Sequence, residues 1–178
     1  VITKNDPRFQ LIDSASFASK NLYNAANYRL RQEFIVNNRY ISYPSMDQQM
    51  RETEEYSSLP AKVAQQVLIT LDKNWKSFFA AREEWEENPS KFNLKPRMPG
   101  YKDKEGRNGL LYTIQAISKP NLEKGIIKPS KLDLFVQTKQ QPEKVACVRI
   151  VPRHTHYVVE VVYEKEEEQA SVDTSLIA

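Results

Sequence analysis

The stretch KFNLKPRMPGYKDKEGRNGLLYTIQAIS, residues 91–118, divides the chain into two halves whose apolar residues repeat with different periods. Before it, apolar residues recur at steps of three and four, which is typical of amphipathic helices. After it, four segments rich in β-branched and aromatic residues indicate strands, namely residues 110–117, 132–139, 145–152 and 156–163. The sequence therefore predicts an α+β fold, in which about three helices precede a small antiparallel β-barrel or half-barrel.

The first predicted helix covers residues 14–38. Its apolar residues share one face and are Phe17, Leu22, Tyr23, Ala26, Leu30 and Phe34. Asn21, Asn24 and Asn27 recur on this helix every three residues, although Asn is a poor helix former. The repeat has two interpretations: an ordinary polar face, or a face that hydrogen-bonds the sugar and phosphate oxygens of nucleic acid.

Two further helices are predicted before the basic stretch. Ser45 and Gln48 have the spacing of a capping box after Pro44, so a short helix is expected from Ser45 to about Tyr56. Pro60 then precedes a third helix, which ends before Pro89. Its apolar stripe predicts a buried face and contains Val63, Ala64, Val67, Leu68, Leu71, Trp75, Phe78 and Phe79.

The organisation predicted from these patterns has five parts. They are a lead-in at residues 1–13, a helical part at 14–90, a basic linker at 91–109, a β part at 110–166 and an acidic exit linker at 167–178. With 178 residues, of which 40% are hydrophobic, the chain is long enough for one domain or for two small lobes that share a core.

The linker is the most basic part of the chain. Residues 91–107 contain six Lys or Arg residues and two acidic residues, whereas the whole chain has a formal charge of only +3. Phe92 and Tyr101 lie among these cations, and Pro96 and Pro99 stiffen the backbone. Such a segment can follow a phosphate backbone while its rings pack on bases or sugars. The alternative is a solvated surface loop with an ordinary excess of Lys.

Several classes of function find no support in the residues. Cys147 is the single cysteine, which excludes an intramolecular disulfide and fits a reducing compartment. No apolar run approaches the length of a membrane span, so a soluble cytoplasmic protein is expected. His154 and His156 lack a second ligand pair at zinc spacing, and no nucleophile, acidic set or phosphate-binding glycine loop is recognisable. We therefore predict no catalytic residue, no metal site and no cofactor in this chain.

Four motifs, taken in order, resemble the N-terminal half of the transposon-encoded TnpB (OrfB) proteins, which are relatives of the type V CRISPR nucleases. The motifs are SKNLYNAANYRLRQEF, SLPAKVAQQVLITLDKNWKSFF, KPRMPGYKDKEGRNGLLYTIQ and VRIVPRHTHYVVEVVYEKE. The resemblance covers most of the chain, from about Ser14 to Glu166. Its most specific parts are WKSFF at 75–79, KPRMPGYK at 95–102 and the closing hairpin.

The resemblance implies a helical recognition lobe and a wedge-type, OB-like β-barrel. These would form the non-catalytic, DNA-binding and RNA-binding N-terminal region of an RNA-guided endonuclease, a transposase active in transposition and DNA recombination. In that family a guide RNA pairs with the target strand, while the protein reads a short flanking motif in double-stranded DNA. Family members usually begin with a β-strand before the first helix, whereas here only residues 1–9 precede that helix.

The same resemblance implies that the chain is truncated before a RuvC-like nuclease domain. The full-length relative would be an enzyme, with Mg and Zn in that missing half, whereas this chain alone is expected not to be one. A bacterial or archaeal cytoplasm, close to the nucleoid, is the expected location, with guide RNA and double-stranded DNA as partners and no membrane. Neither the patterns nor the resemblance sets the oligomeric state.

Carried over by position, the resemblance predicts two groups of nucleic-acid-binding residues. Tyr43, Gln65 and Thr113 would face the flanking duplex, with Lys62 one turn away as a phosphate clamp. A Gln65 that is buried and bonded to neighbouring backbone is the alternative. The second group would follow the backbone of the RNA scaffold or heteroduplex and contains Lys95, Arg97, Tyr101, Lys102, Arg149 and Arg153.

A different class of function remains open. The chain can also be interpreted as a helical and β protein–protein interaction domain, whose anchor is the aromatic face of the third helix. The two interpretations differ in where they place Trp75, Phe78 and Phe79. An interaction domain of this kind needs these rings at the surface.

Overall fold

The structure, a computed structural model, describes residues 1–165 and has an α+β fold. Within these residues, five α-helices lie at Phe9–Asn37 (α1), Tyr43–Met50 (α2), Glu54–Ser57 (α3), Ala61–Glu87 (α4) and Lys119–Leu122 (α5). The same range contains six strands, which lie at Ile2–Thr3 (β1), Leu110–Thr113 (β2), Ile126–Ile127 (β3), Val136–Gln137 (β4), Val145–Pro152 (β5) and His156–Tyr163 (β6). The predicted exit linker falls outside the described residues.

The long helices α1 and α4 are the two that the sequence predicts most directly. Helix α4 runs from the residue after Pro60 to Glu87, and the predicted apolar stripe faces the core. Helix α1 begins at Phe9, five residues earlier than predicted, because Ile12 extends its buried face by one turn. It ends at Asn38, which adopts a left-handed conformation with φ of 50°.

The predicted second helix is two separate helices. Helix α2 starts at Tyr43 after the extended Ser42, with Pro44 in its first turn, so the predicted start at Ser45 is wrong. The helix stops at Met50. Thr53 then caps α3, because its Oγ1 accepts a hydrogen bond from the Tyr56 amide at 3.4 Å.

The four strands of the main sheet are antiparallel and stand in the order β1-β6-β5-β2. Strands β5 and β6 form the predicted hairpin over its full length. Within residues 1–165 the sheet stays open, so the predicted barrel is not closed. Its edge strands, β1 and β2, are only two and four residues long, too short to pair across a closed wall.

The other predicted strands differ from the structure in length. The strand expected at 110–117 ends at Thr113, where the chain enters a turn of 3-10 helix at Ile114–Ala116. The strand expected at 132–139 is reduced to β4, which pairs only with β3 in a separate two-stranded sheet. Conversely, the opening residues do form a strand: Ile2 lies opposite Tyr157 on β6 and is buried. Two residues are too few to produce a recognisable period.

One hydrophobic core joins the helical and strand halves. The inner face of the sheet contributes Leu110, Tyr112, Val148, Ile150 and Tyr157. These pack in the same cluster as the buried faces of α1 and α4, and α4 contacts β2 directly. The linker at 91–109 therefore runs over the surface of one shared core, because α4 before it and β2 after it pack together.

Asp13 connects three parts of this fold. Its carboxylate accepts hydrogen bonds from the Arg107 guanidinium at 2.9 and 2.7 Å and from the Tyr157 hydroxyl at 2.7 Å. The Arg107 hydrogen bonds hold the pKa of Asp13 below its usual value. Burial, together with the bond to Asp13, raises the pKa of Tyr157 to about 12. One carboxylate therefore holds α1, the linker and β6 together.

We predict that Asp13→Asn lowers the free energy of unfolding at pH 7 by about 1–3 kcal/mol, because it weakens charge-assisted hydrogen bonds. The folded pKa of Asp13 is depressed, so its stabilising effect is present above the unfolded pKa of about 3.9 and is lost as the pH falls through the folded value. Urea unfolding between pH 3 and 7 should show the variant and wild type converging at low pH. The exposed Asp133→Asn is the control, and a constant difference across pH would contradict the prediction.

Candidate nucleic-acid interface

The polar face of α1 binds the main chain of the linker. Asn24 makes two hydrogen bonds with the backbone of Lys102: its Nδ2 donates to the carbonyl at 3.0 Å, and its Oδ1 accepts from the amide at 2.8 Å. A side-chain amide that binds both groups of one residue fixes the backbone there as a strand partner would. Asn24 therefore attaches the middle of the linker to α1.

Asn27, one turn further along α1, makes hydrogen bonds to both the linker and α4. Its Nδ2 donates to the carbonyls of Pro99 and Gly100 at 3.0 and 3.1 Å, while its Oδ1 accepts from Trp75 Nε1 at 2.9 Å. The Asn27 side chain is fully buried. It therefore joins α1, α4 and the linker, and every polar atom of its amide group has a partner.

The neighbouring side chains of α1 continue this attachment along the linker. Arg31 Nη1 donates to the Pro99 carbonyl at 2.9 Å, Lys20 Nζ to the Lys104 carbonyl at 2.7 Å, and Ser19 Oγ to the Gly109 carbonyl at 3.0 Å. The interpretation that this face bonds sugar and phosphate oxygens is thus wrong for Asn24 and Asn27. Their amides are occupied by carbonyl and amide groups of the protein itself, more than 70 residues away in sequence.

Three linker cations are engaged with the protein. Arg107 pairs with Asp13 and lies 4.8 Å from the Phe17 ring centroid, and Lys91 pairs with Glu84 at 2.5 Å. Lys102 Nζ lies 4.6 Å from the centroid of the Tyr23 ring, and burial lowers the pKa of its ammonium group. The contacts of Arg107 and Lys102 turn these two side chains towards the fold, so they contribute less to a surface field than their formal charges suggest. Lys91 keeps an exposed side chain beside the exposed Glu84.

Three other linker cations lie at the surface. Lys95 covers the ring of Trp85, with its Nζ 4.8 Å from the centroid, and keeps an exposed side chain. Arg97 and Lys104 are exposed as well. Tyr101, half exposed, stands between them in sequence. The attached backbone thus presents a row of outward cations with one aromatic ring among them.

The hairpin arginines predicted to follow a nucleic-acid backbone differ from each other. Arg149 on β5 pairs with Glu160, its cross-strand neighbour on β6, at 2.8 Å. Arg153 lies in the turn between the two strands, where its amide bonds to the His156 carbonyl and its side chain is exposed. Arg149 must give up part of its ion pair to contact a phosphate, whereas Arg153 is accessible as it stands.

The residues predicted to face a flanking duplex lie on three elements. Tyr43 begins α2, and its amide donates to Asp72 Oδ1 on α4 at 2.8 Å, so that α2 is held against α4. Lys62 is exposed and Gln65 half-buried, both in the first two turns of α4. The side-chain hydrogen bonds found within residues 1–165 include none from the Gln65 amide, so the alternative of a backbone-bonded Gln65 gains no support.

Thr113 ends β2, opposite Cys147 on β5. Its Oγ1 is buried and has no hydrogen-bond partner among the described residues. A buried hydroxyl without a partner is costly, and it contacts a base or phosphate only if the surrounding chain moves. Its assignment to the duplex-facing group therefore stays a prediction.

The aromatic face of α4 lies inside the protein. Trp75 is fully buried, Phe78 is nearly so, and Phe79 packs against the core. Phe34 from α1 lies edge-on to all three, with centroid distances of 5.4–6.3 Å. An interaction domain that used these three rings as its anchor would have to expose them by opening the core.

No part of residues 1–165 contains a cluster of three His, Cys, Asp or Glu side chains placed to hold a metal ion. The helices in this range include none with the length and apolar character of a membrane span. A comparison with protein-family models finds no matching family, and a comparison with curated proteins finds no match. What the fold and site define is thus an α+β protein with a basic surface segment fixed on a helix.

The Asn repeat on α1 was the one sequence pattern that indicated the attachment of the linker, but it did not reveal what the Asn side chains bind. The spacing of the Asn residues indicated a specialised face on α1, but their partners are carbonyl groups, which every residue carries. Tyr28 and Arg31, which follow Asn27 on α1, were not predicted as site residues. The exposure of Tyr28 and the contact of Arg31 with Tyr101, at 5.3 Å from the ring centroid, identify them.

We predict that Asn27→Ala lowers the free energy of unfolding by about 3 kcal/mol, because the Trp75 indole N–H and the linker carbonyls lose a buried partner. The linker should also be cut faster by trypsin at Arg97 and Lys102, since its backbone is released. Urea unfolding and timed digestion measure the two effects. Asn37→Ala is the control, because that amide bonds only to Glu33 at an exposed site. Equal digestion rates would contradict the role of Asn27 in holding the linker.

Proposed function

We propose that this chain is the non-catalytic, nucleic-acid-binding part of a TnpB-like, RNA-guided DNA endonuclease that contacts guide RNA and target-flanking duplex DNA. The observation that carries the proposal is the linker, whose backbone is bound by α1 while Lys95, Arg97 and Lys104 remain exposed. Fixed cations lose less conformational entropy on binding a phosphate backbone than cations on a mobile loop. The resemblance of the KPRMPGYK segment to the family supports the same conclusion.

On this proposal the two predicted groups of residues have separate roles. The outward linker cations and Arg153 follow the phosphate backbone of RNA or of the heteroduplex, where they provide affinity without sequence preference. Lys62 clamps a phosphate of the flanking duplex, and Gln65 and Tyr43 bond its base edges or phosphates. The half-buried Gln65, whose amide has no bond to the described protein, has the donor and acceptor pair that a base edge needs.

The proposal also assigns roles to the two halves of the fold. The helices α1 to α4 would be the recognition lobe, and the open sheet with its helical turns would be the wedge. Cleavage of DNA, with the Mg and Zn ions it uses in the family, would be carried out by a nuclease domain and not by the residues described here. Function in the cytoplasm of a bacterium or archaeon, beside its nucleoid, follows from the same assignment.

We predict that binding to structured RNA or duplex DNA weakens steeply as salt rises. About four phosphate contacts would reduce the affinity roughly 100-fold between 50 and 200 mM salt, since each contact releases about 0.9 counterion. Fluorescence anisotropy with a labelled RNA hairpin and a labelled DNA duplex measures this slope. An affinity that does not change with salt, or no binding at 50 mM salt, would contradict the proposed function.

We also predict that Arg97→Glu combined with Lys104→Glu weakens binding at least 10-fold for all sequences and flattens the salt slope. The matched control is Lys124→Glu combined with Lys139→Glu, which changes the net charge by the same amount at exposed positions away from the linker. An equal loss in both double variants would show that net charge alone, and not the linker surface, attracts the nucleic acid.

A further inference from the structure

Two exposed tyrosine rings and one half-buried arginine lie on α1 and the linker. Tyr28 is 56% exposed and Tyr101 is 50% exposed, although buried or half-buried positions are usual for tyrosine. The guanidinium carbon of Arg31 lies 5.3 Å from the centroid of the Tyr101 ring. Tyr28 precedes Arg31 by three residues on α1, so both side chains share one face of the helix. We name Tyr28, Arg31 and Tyr101 the tyrosine platform.

The fold holds Arg31 and the backbone on both sides of Tyr101 in place. Arg31 Nη1 donates to the Pro99 carbonyl at 2.9 Å, which sets the position of its guanidinium group. The backbone on each side of Tyr101 is bound to α1, through Asn27 to Gly100 and through Asn24 to Lys102. Tyr101 therefore projects from a segment whose backbone is held at both neighbouring residues before any ligand binds.

We propose that the tyrosine platform binds an unpaired nucleotide of an RNA, with its base stacked on the tyrosine rings and its phosphate near Arg31 and the outward linker cations. The proposal rests on the proposed function, because it names the part of a nucleic acid that this surface takes. Exposed aromatic rings beside cations are the chemistry that single-stranded nucleic acid requires, since every base has a flat face and every nucleotide carries a negative charge.

Three features of the surface favour an unpaired RNA nucleotide over other occupants. The faces of paired bases are covered by their neighbours in a duplex, so exposed rings can stack only on bases outside it. Arg97 and Lys104 flank Tyr101 in sequence and carry exposed positive charge, which favours a polyanion over an apolar peptide. Gln32, exposed one turn after Tyr28, supplies a donor and an acceptor suited to a ribose 2′-hydroxyl.

The test uses a 12-nucleotide single-stranded RNA that contains 2-aminopurine, whose fluorescence falls when the base stacks on an aromatic ring. Wild-type protein should quench this fluorescence. Tyr28→Leu and Tyr101→Leu should reduce the quenching and weaken binding of the RNA roughly 10-fold each. Tyr28→Phe and Tyr101→Phe keep the rings and should behave as wild type does. Tyr163→Leu, at an exposed tyrosine on β6, is the matched control.

Two further measurements separate the platform from the proposed function. Binding of the DNA duplex should be unchanged in the two Leu variants, because the platform takes no paired base. One outcome is that the RNA binds with a steep salt slope, the Leu variants bind it as Tyr163→Leu does, and no quenching occurs. This outcome would contradict base stacking on the tyrosine platform and would leave the proposed nucleic-acid binding intact. If neither RNA nor duplex bound, both proposals would be wrong.

A final arm tests the choice of RNA. A single-stranded DNA of the same sequence should bind more weakly, because it lacks the 2′-hydroxyl. Equal affinity and equal quenching for the DNA would overturn the assignment to RNA. Urea unfolding of each variant checks that the fold is intact, and both rings are at least half exposed, so little stability depends on them.

Discussion

The buried amide of Asn27 is the constraint on which the rest of the structure depends. It is a polar group in a hydrophobic core, and it is stable there because its oxygen accepts from the Trp75 indole and its nitrogen donates to two linker carbonyls. Without Asn27, the Trp75 indole N–H and the Gly100 carbonyl would lose this partner, whereas the Pro99 carbonyl would keep its bond from Arg31. The packing of α4 on α1 and the path of the linker are therefore set by the same side chain, and neither can change alone.

This constraint separates the roles of backbone and side chains in the linker. Four carbonyl groups of the linker face α1 and accept hydrogen bonds from its side chains. They belong to Pro99, Gly100, Lys102 and Lys104. The side chains of Arg97, Tyr101 and Lys104 remain exposed, with the Tyr101 ring beside Arg31 of α1. A segment that looks like a flexible basic loop in the sequence is thus an ordered surface, although it contains no helix or strand between Phe92 and Gly109.

The sequence predicts the parts of the fold in which a local period is long enough to be recognised. Helix α4 and the β5–β6 hairpin are predicted correctly, because apolar residues alone determine their buried faces. The sequence does not predict strand β1, which has two residues, or the division between α2 and α3. The sequence does not predict the contact between Asn24 and Lys102 for another reason. The contact joins positions 78 residues apart, and Lys102 takes part through its backbone groups, which do not depend on residue type.

The residues that attach the linker to α1 are far from it in the sequence, and this separation affects when the basic surface forms during folding. The bonds from α1 to the linker close loops of about 68 to 90 residues, so they carry a large entropic cost and form after the local helical turns. During synthesis α1 leaves the ribosome long before the linker does. Ordered presentation of the basic surface therefore marks a late step of folding, and a nascent or partly folded chain carries these charges on a disordered segment.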